Sequence, residues 1–167
     1  MDHAPDEWQS RIDAVWADDT LSDRERIARI DALAAELGAG HPVALFERAG
    51  ARDSAGEEAA AEPLYRSALA AGLDPERRTQ AIIQLASTIR NLGRVDESLT
   101  LLADEFARTR GAAMADEAAA FYALALVSSG DATRAASIAL TALAPHLNRY
   151  TRSVTGYAAE LLHRLDA

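Results

Sequence analysis

Gln84, Ser87 and Asn91 fall at i, i+3 and i+7, which sets two amides and a hydroxyl on one face of a helix, with the Arg90 guanidinium beside them. Groups of this kind hydrogen-bond a peptide backbone or hold a carboxylate. Arg90 and Asn91 also precede Gly93, and a helix end attracts a cation and a capping Asn for reasons of its own. Other constellations carry less chemistry. Glu57, Glu58 and Glu62 open a helix, where acids suit the dipole, and no apolar pocket is evident to turn them into an acid–base pair. Asp18, Asp19 and Asp23 lack the Gly and terminal Glu of a calcium loop and read as a solvated turn. His3, His41, His146 and His163 stand singly, with no metal-ligand spacing, and neither a G-x-S-x-G elbow nor a Gly-rich phosphate loop occurs. The expectation is no enzyme, no metal and no cofactor.

Composition narrows the class. Ala supplies 39 of 167 residues and aromatics only 9, which favours helices that approach closely and argues against sheets. Without Cys there is no disulfide scaffold and no thiolate metal site. All 17 basic residues are Arg, and the net charge is −9, so phosphate-driven nucleic-acid binding is disfavoured. The charge is uneven: residues 1–40 hold 10 acids against 4 Arg, and residues 76–111 hold 5 against 6. An anionic partner is least repelled in the middle of the chain. The acidic Met1–Glu7 has no signal-peptide pattern and the apolar runs are too short for a bilayer, so a soluble cytoplasmic protein is expected.

The elements that position these residues repeat. Gly56, Gly93 and Gly130 are spaced 37 and 37 apart, each closing a helical stretch. Five residues later comes a small residue (Ala61, Ser98, Ala135), and four further on one that can pack (Tyr65, Leu102, Ala139). Upstream, Ile82, Leu85, Ala86 and Ile89 match Ala119, Tyr122, Ala123 and Leu126. Each unit reads as two antiparallel helices reversed at the Gly. Asp74-Pro75 and Ser22 with Glu25 mark helix starts.

Outside the repeats, residues 1–40 read as a helical pair. Trp8, Ile12, Val15 and Trp16 lie on one stripe, and Ile27, Ile30, Ala34 and Leu37 on the other. Residues 148–167 read as a final capping helix with Tyr150, Val154, Tyr157 and Leu161 inward. The chain is expected to be all-α, a single domain of about nine helices.

These columns resemble the tetratricopeptide repeat family, in particular its short bacterial members. With the family's turn Gly at Gly56, Gly93 and Gly130, its small-residue position falls on Ala61, Ser98 and Ala135 over three units in 42–147. The period of 37 exceeds the family's, about 34, and implies longer linkers. Arg48 and Arg52 stand where the family packs Leu and Tyr, and Ala139 where it has Phe. The resemblance implies a right-handed superhelical stack of antiparallel helix pairs whose groove holds a peptide or helix of a partner protein. Carried over by column, that groove presents Phe46 and Asp53, then Gln80, Ile83, Gln84, Ser87, Arg90 and Asn91, then Leu124 and Val127. Phe46 is its expected apolar anchor, and Arg90 is expected to set orientation. The family's clamp for a terminal carboxylate is missing, since its columns hold Phe46, Gly50, Ser87, Glu117 and Phe121. A non-enzymatic interaction scaffold is therefore the expected function. The alternatives are a homodimer, through Ala-rich faces or an exposed Trp stripe, and a small-molecule sensor.

Overall fold

In the computed structural model of the protein, which describes residues 5–163, the chain is all-α and divides between Leu92 and Gly93 into two compact units. The first holds α1 (Asp6–Ala17), α2 (Asp23–Leu37), α3 (Pro42–Ser54), α4 (Glu58–Ala71) and α5 (Pro75–Asn91). The second holds α6 (Val95–Arg108), α7 (Ala115–Ser128), α8 (Ala132–Leu143), a single 3-10 turn (Ala144–His146) and α9 (Thr151–His163).

The turn glycines do what their spacing predicts. Gly56 and Gly130 have φ of 74° and 91°, a region that costs a side-chain-bearing residue but not Gly. At each, the next residue's N–H reaches back five positions, Glu57 to the Arg52 carbonyl at 2.8 Å and Asp131 to that of Leu126 at 2.9 Å. These bonds satisfy carbonyls that the helix end leaves bare. Helix starts are held as expected. Asp74 accepts from the Arg77 backbone N–H, and Ser22 and Glu25 form a reciprocal capping box. The 37-residue period is reached in two ways. Between Gly56 and Gly93 a short linker, residues 72–74, is offset by a 17-residue α5. Between Gly93 and Gly130, α6 and α7 have 14 residues each and the linker, residues 109–114, is longer. Only the second case matches the longer linkers expected.

In the first unit, α1 is tied to α2 by the Trp8 indole N–H, which donates to the Leu33 carbonyl at 2.8 Å above buried Ile12 and Ile30. Neither Trp forms an exposed stripe, because Trp8 is buried and Trp16 is partly covered. Between α2 and α3 the family's apolar packing gives way to ions. Asp31 accepts from Arg48 Nε at 2.9 Å and from Arg52 Nη1 and Nη2 at 3.1 and 2.8 Å. Next, α3 and α4 approach closely over Ala49, Ala61 and Ala68, all fully buried, with Tyr65 sealed beside them.

In the second unit Ala123, Leu126 and Ala135 form the centre, flanked by Leu99, Tyr122 and Ile138. Ser137 donates to the Ala158 carbonyl at 2.7 Å, joining α8 to α9. Two packing expectations fail here. Ala139 is exposed, since a methyl is too short to replace the family's ring. Tyr150 and Tyr157 point to solvent, while Ala158 is the buried residue of α9. Tyr150 sits before the helix at φ 69°, off the helical phase that the stripe assumed.

Candidate functional site

The principal hollow of the first unit is a cavity of about 720 Å³ walled by α1, α3 and α5. Along α5, Arg77, Gln80, Gln84, Ser87 and Asn91 face it at i, i+3, i+7, i+10 and i+14, one stripe of a 3.6-residue period. From α3 come Phe46, Glu47, Gly50 and Asp53; from α1 come Gln9, Asp13 and Trp16 at i, i+4 and i+7. Tyr65 reaches in from α4.

Hydrogen bonds lock this wall in place. The Trp16 indole N–H donates to Glu47 Oε2 at 2.8 Å. The ring lies over Gly50, where an added Cβ would stand 3.5 Å from it. Arg26 covers the same ring at 5.6 Å and donates to the carbonyls of Val15, Trp16 and Asp18, which closes the C-terminus of α1. A relay then runs from α5 to α1. Arg77 donates to Asp74 and to Gln9 Oε1, both at 2.8 Å, and Gln9 Nε2 donates to Asp13 at 2.8 Å. Asp53 accepts from Thr88 Oγ1 at 2.9 Å and from the Tyr65 hydroxyl at 3.3 Å. The Gln84 Oε1 atom is buried and has no hydrogen-bond partner among the described residues.

Electrostatically the cavity is acidic, with Asp13, Glu47, Asp53, Asp74 and Glu76 against Arg77 alone. Burial pushes the Glu47 carboxyl above its usual range, with the Trp16 N–H pulling the other way. Burial likewise raises Asp53 against the bonds from Thr88 and Tyr65, and it raises the Tyr65 phenol. Asp74 lies below the ordinary carboxylate value: burial would raise it, but the Arg77 bonds outweigh that. The sequence expectation that the middle of the chain best tolerates an anion does not carry over to this cavity. The reason is tertiary, since α1 and α3 bring their acids against α5's polar face.

Of the residues expected at a groove, Phe46, Asp53, Gln80, Gln84, Ser87 and Asn91 line this cavity together. Phe46 is buried, its ring 6.3 Å from that of Tyr65, so it is wall and not a projecting anchor. Ile83 is buried and turned from the cavity, because it lies about 100° around α5 from the neighbouring Gln84. Arg90 is half-buried, off the lining, and its guanidinium has no hydrogen-bond or ion-pair partner among the described residues. The guanidinium that does face the cavity is that of Arg77. Leu124 and Val127 belong to the second unit, where both are exposed on α7. That unit has its own hollow of about 610 Å³, lined mainly by apolar groups such as Phe106, Tyr122 and Ile138 and by none of the expected site residues.

Sequence reasoning missed Gln9, Asp13, Trp16, Glu47, Tyr65 and Arg77. The i, i+4, i+7 spacing in α1 was a usable signal, and Glu47 ends the apolar Pro42–Phe46 run. The remaining polar candidates lie elsewhere. Glu58 opens α4, Glu57 precedes it at the N-cap position without a side-chain capping bond, and Glu62 pairs with Arg66. Asp18 accepts from Thr20 in a turn, His146 meets Asp116 at 2.9 Å, and His3 lies outside the described residues. Among the described residues no group of three or more His, Cys, Asp or Glu is placed to hold a metal ion, and no helix is long and apolar enough to cross a membrane.

A family model described as tetratrico peptide repeat matches residues 42–161, from the first residue of α3 into α9. The match takes in most of the helix that the sequence pattern set apart as a cap. The α1 wall of the cavity precedes the matched region. No curated protein matches the chain.

Proposed function

Starting from the chain's membership of the tetratrico peptide repeat family, whose members serve as protein–protein interaction scaffolds, we propose that this protein is a non-enzymatic module that holds a peptide or helix of a partner in the cavity of α1, α3 and α5. One observation carries the reading: a polar helix stripe, Gln80, Gln84, Ser87 and Asn91, faces an open hollow instead of packing. Amides and a hydroxyl at successive turns offer paired donors and acceptors to an extended backbone, and the Trp16–Glu47 and Arg77–Gln9 bonds preorganise the wall, which lowers the ordering cost of binding. A cytoplasmic location belongs to the same reading, supported by the lack of Cys.

The test is recovery of partners from the source cytoplasm by the natural chain and by Gln80→Ala/Ser87→Ala/Asn91→Ala, which changes two partly exposed side chains and one exposed one and leaves the core untouched. Loss of the recovered partner with unchanged helix content supports the reading. Equal recovery removes it.

Self-association is the second reading, favoured by the exposed Leu124, Val127, Leu143, Tyr150 and Tyr157 of the second unit. Sedimentation across a concentration series separates the two, because a strict monomer ends the second.

A further inference from the structure

We infer that the cavity takes a cationic side chain, an arginine presented by the partner's peptide; the inference rests on the binding role proposed above. Three observations converge on that chemistry. First, the charge is uncompensated. Arg77 is ion-paired with Asp74 at 2.8 Å and reaches Glu47 only through space, which leaves Asp13, Glu47 and Asp53 without an ion pair among the described residues. Glu47 is 7 % exposed and accepts from a neutral indole N–H, so its charged form sits in a desolvated place that an incoming cation would relieve. Second, the wall beside these carboxylates is aromatic. Trp16, partly exposed, lines the cavity and already carries one guanidinium, that of Arg26 at 5.6 Å, and a planar guanidinium stacks on such a ring as a compact ammonium does less well. Third, an acceptor waits unmet. Gln84 lines the same hollow, its Oε1 buried and without a donor among the described residues, and an arginine offers five N–H groups, enough for a carboxylate and an amide oxygen together. A neutral peptide could give a backbone N–H to Gln84 but would leave the carboxylates uncompensated, and an anionic one would be repelled by them.

The experiment titrates the full chain with a capped Gly/Ser heptapeptide carrying two arginines, with the same peptide holding neutral citrulline in their place, and with spermidine. Affinity is read by calorimetry and by fluorescence of Trp16, the natural chain being compared with a Trp16→Phe variant because Trp8 is the only other indole. The arginine peptide should bind at least about tenfold tighter than the citrulline peptide, the scale of one charge-assisted bond pair. Glu47→Gln/Asp53→Asn should lose about tenfold. Asp13→Asn, on an exposed residue that cannot upset the core, should weaken binding in the same direction. Glu57→Gln, outside the cavity, should bind as the natural chain does.

Equal binding of the two peptides, no binding of the arginine peptide, or indifference to the carboxylate variants overturns the inference. Full competition by spermidine at equal concentration overturns the peptide source in favour of a small amine. Tight citrulline-peptide binding that the Gln80/Ser87/Asn91 triple variant abolishes would discard the charge assignment and keep the groove. Unchanged partner recovery by that triple variant discards the groove itself.

Discussion

Replacing Asp31 with Ala removes the one carboxylate that holds Arg48 and Arg52 between α2 and α3. Its cost can be worked from the geometry. Three hydrogen bonds of 2.8–3.1 Å end on Asp31, two from Arg52, whose side chain is 16 % exposed, and one from Arg48, at 32 %. Asp31 itself is 34 % exposed, so solvent screens the pairs and the Arg48 contact belongs near the surface value of about 0.5 kcal/mol. The more enclosed Arg52 pair is closer to about 1.5 kcal/mol, the lower end for bonds to charged groups. Together they predict a loss of about 2 kcal/mol, or a fall in melting temperature of roughly 4–8 °C at the scaling of a chain this long. Urea unfolding followed by circular dichroism at pH 7 measures it. Asp31→Ala, Arg52→Ala and the double variant form a cycle whose coupling should be about 1 kcal/mol or more. Acid gives an independent check. Burial would raise the Asp31 carboxyl, but the guanidinium bonds outweigh it and hold it below its ordinary value. An acid so lowered stabilises the fold above its unfolded value, about 3.9, and loses that contribution as pH falls through the folded one. The gap between natural chain and variant should therefore close in strong acid. A cost below about 0.5 kcal/mol at pH 7, or an equal cost at both extremes, refutes the argument.

Glu47→Gln should flatten part of the stability profile. A carboxyl raised by burial favours the folded state in acid and loses that contribution as pH climbs from its unfolded value to its folded one, so the variant should gain on the natural chain by pH 7 in urea melts. Ser98→Ala should stabilise by about 1 kcal/mol, because the Ser98 hydroxyl is fully buried with no partner among the described residues; thermal melting reads it, and a loss would mean the hydroxyl is bonded. Gly130→Ala should cost about 1–2 kcal/mol from φ 91° alone, since nothing lies within 4 Å of the added methyl. Denaturant midpoints decide, and an unchanged midpoint would remove the left-handed turn.

Local features of this chain were legible because their causes are local. Turn glycines need a left-handed backbone, Ser22 and Asp74 cap the helices that follow them, and Ala61, Ser98 and Ala135 repeat at a fixed offset because two helices must touch there. The α5 stripe was visible for the same reason, as a single helix face. What surrounds that stripe was not. Glu47 and Trp16 are 31 residues apart, Arg77 and Gln9 are 68 apart, and no period links them. Those pairs depend on how α1 lies against α3 and α5. The same packing reversed the sign of charge expected at the site. Backbone sterics and helical phase act within a few residues and can be read along the chain. Desolvation and charge pairing act through space, so only the folded arrangement set the chemistry of the cavity.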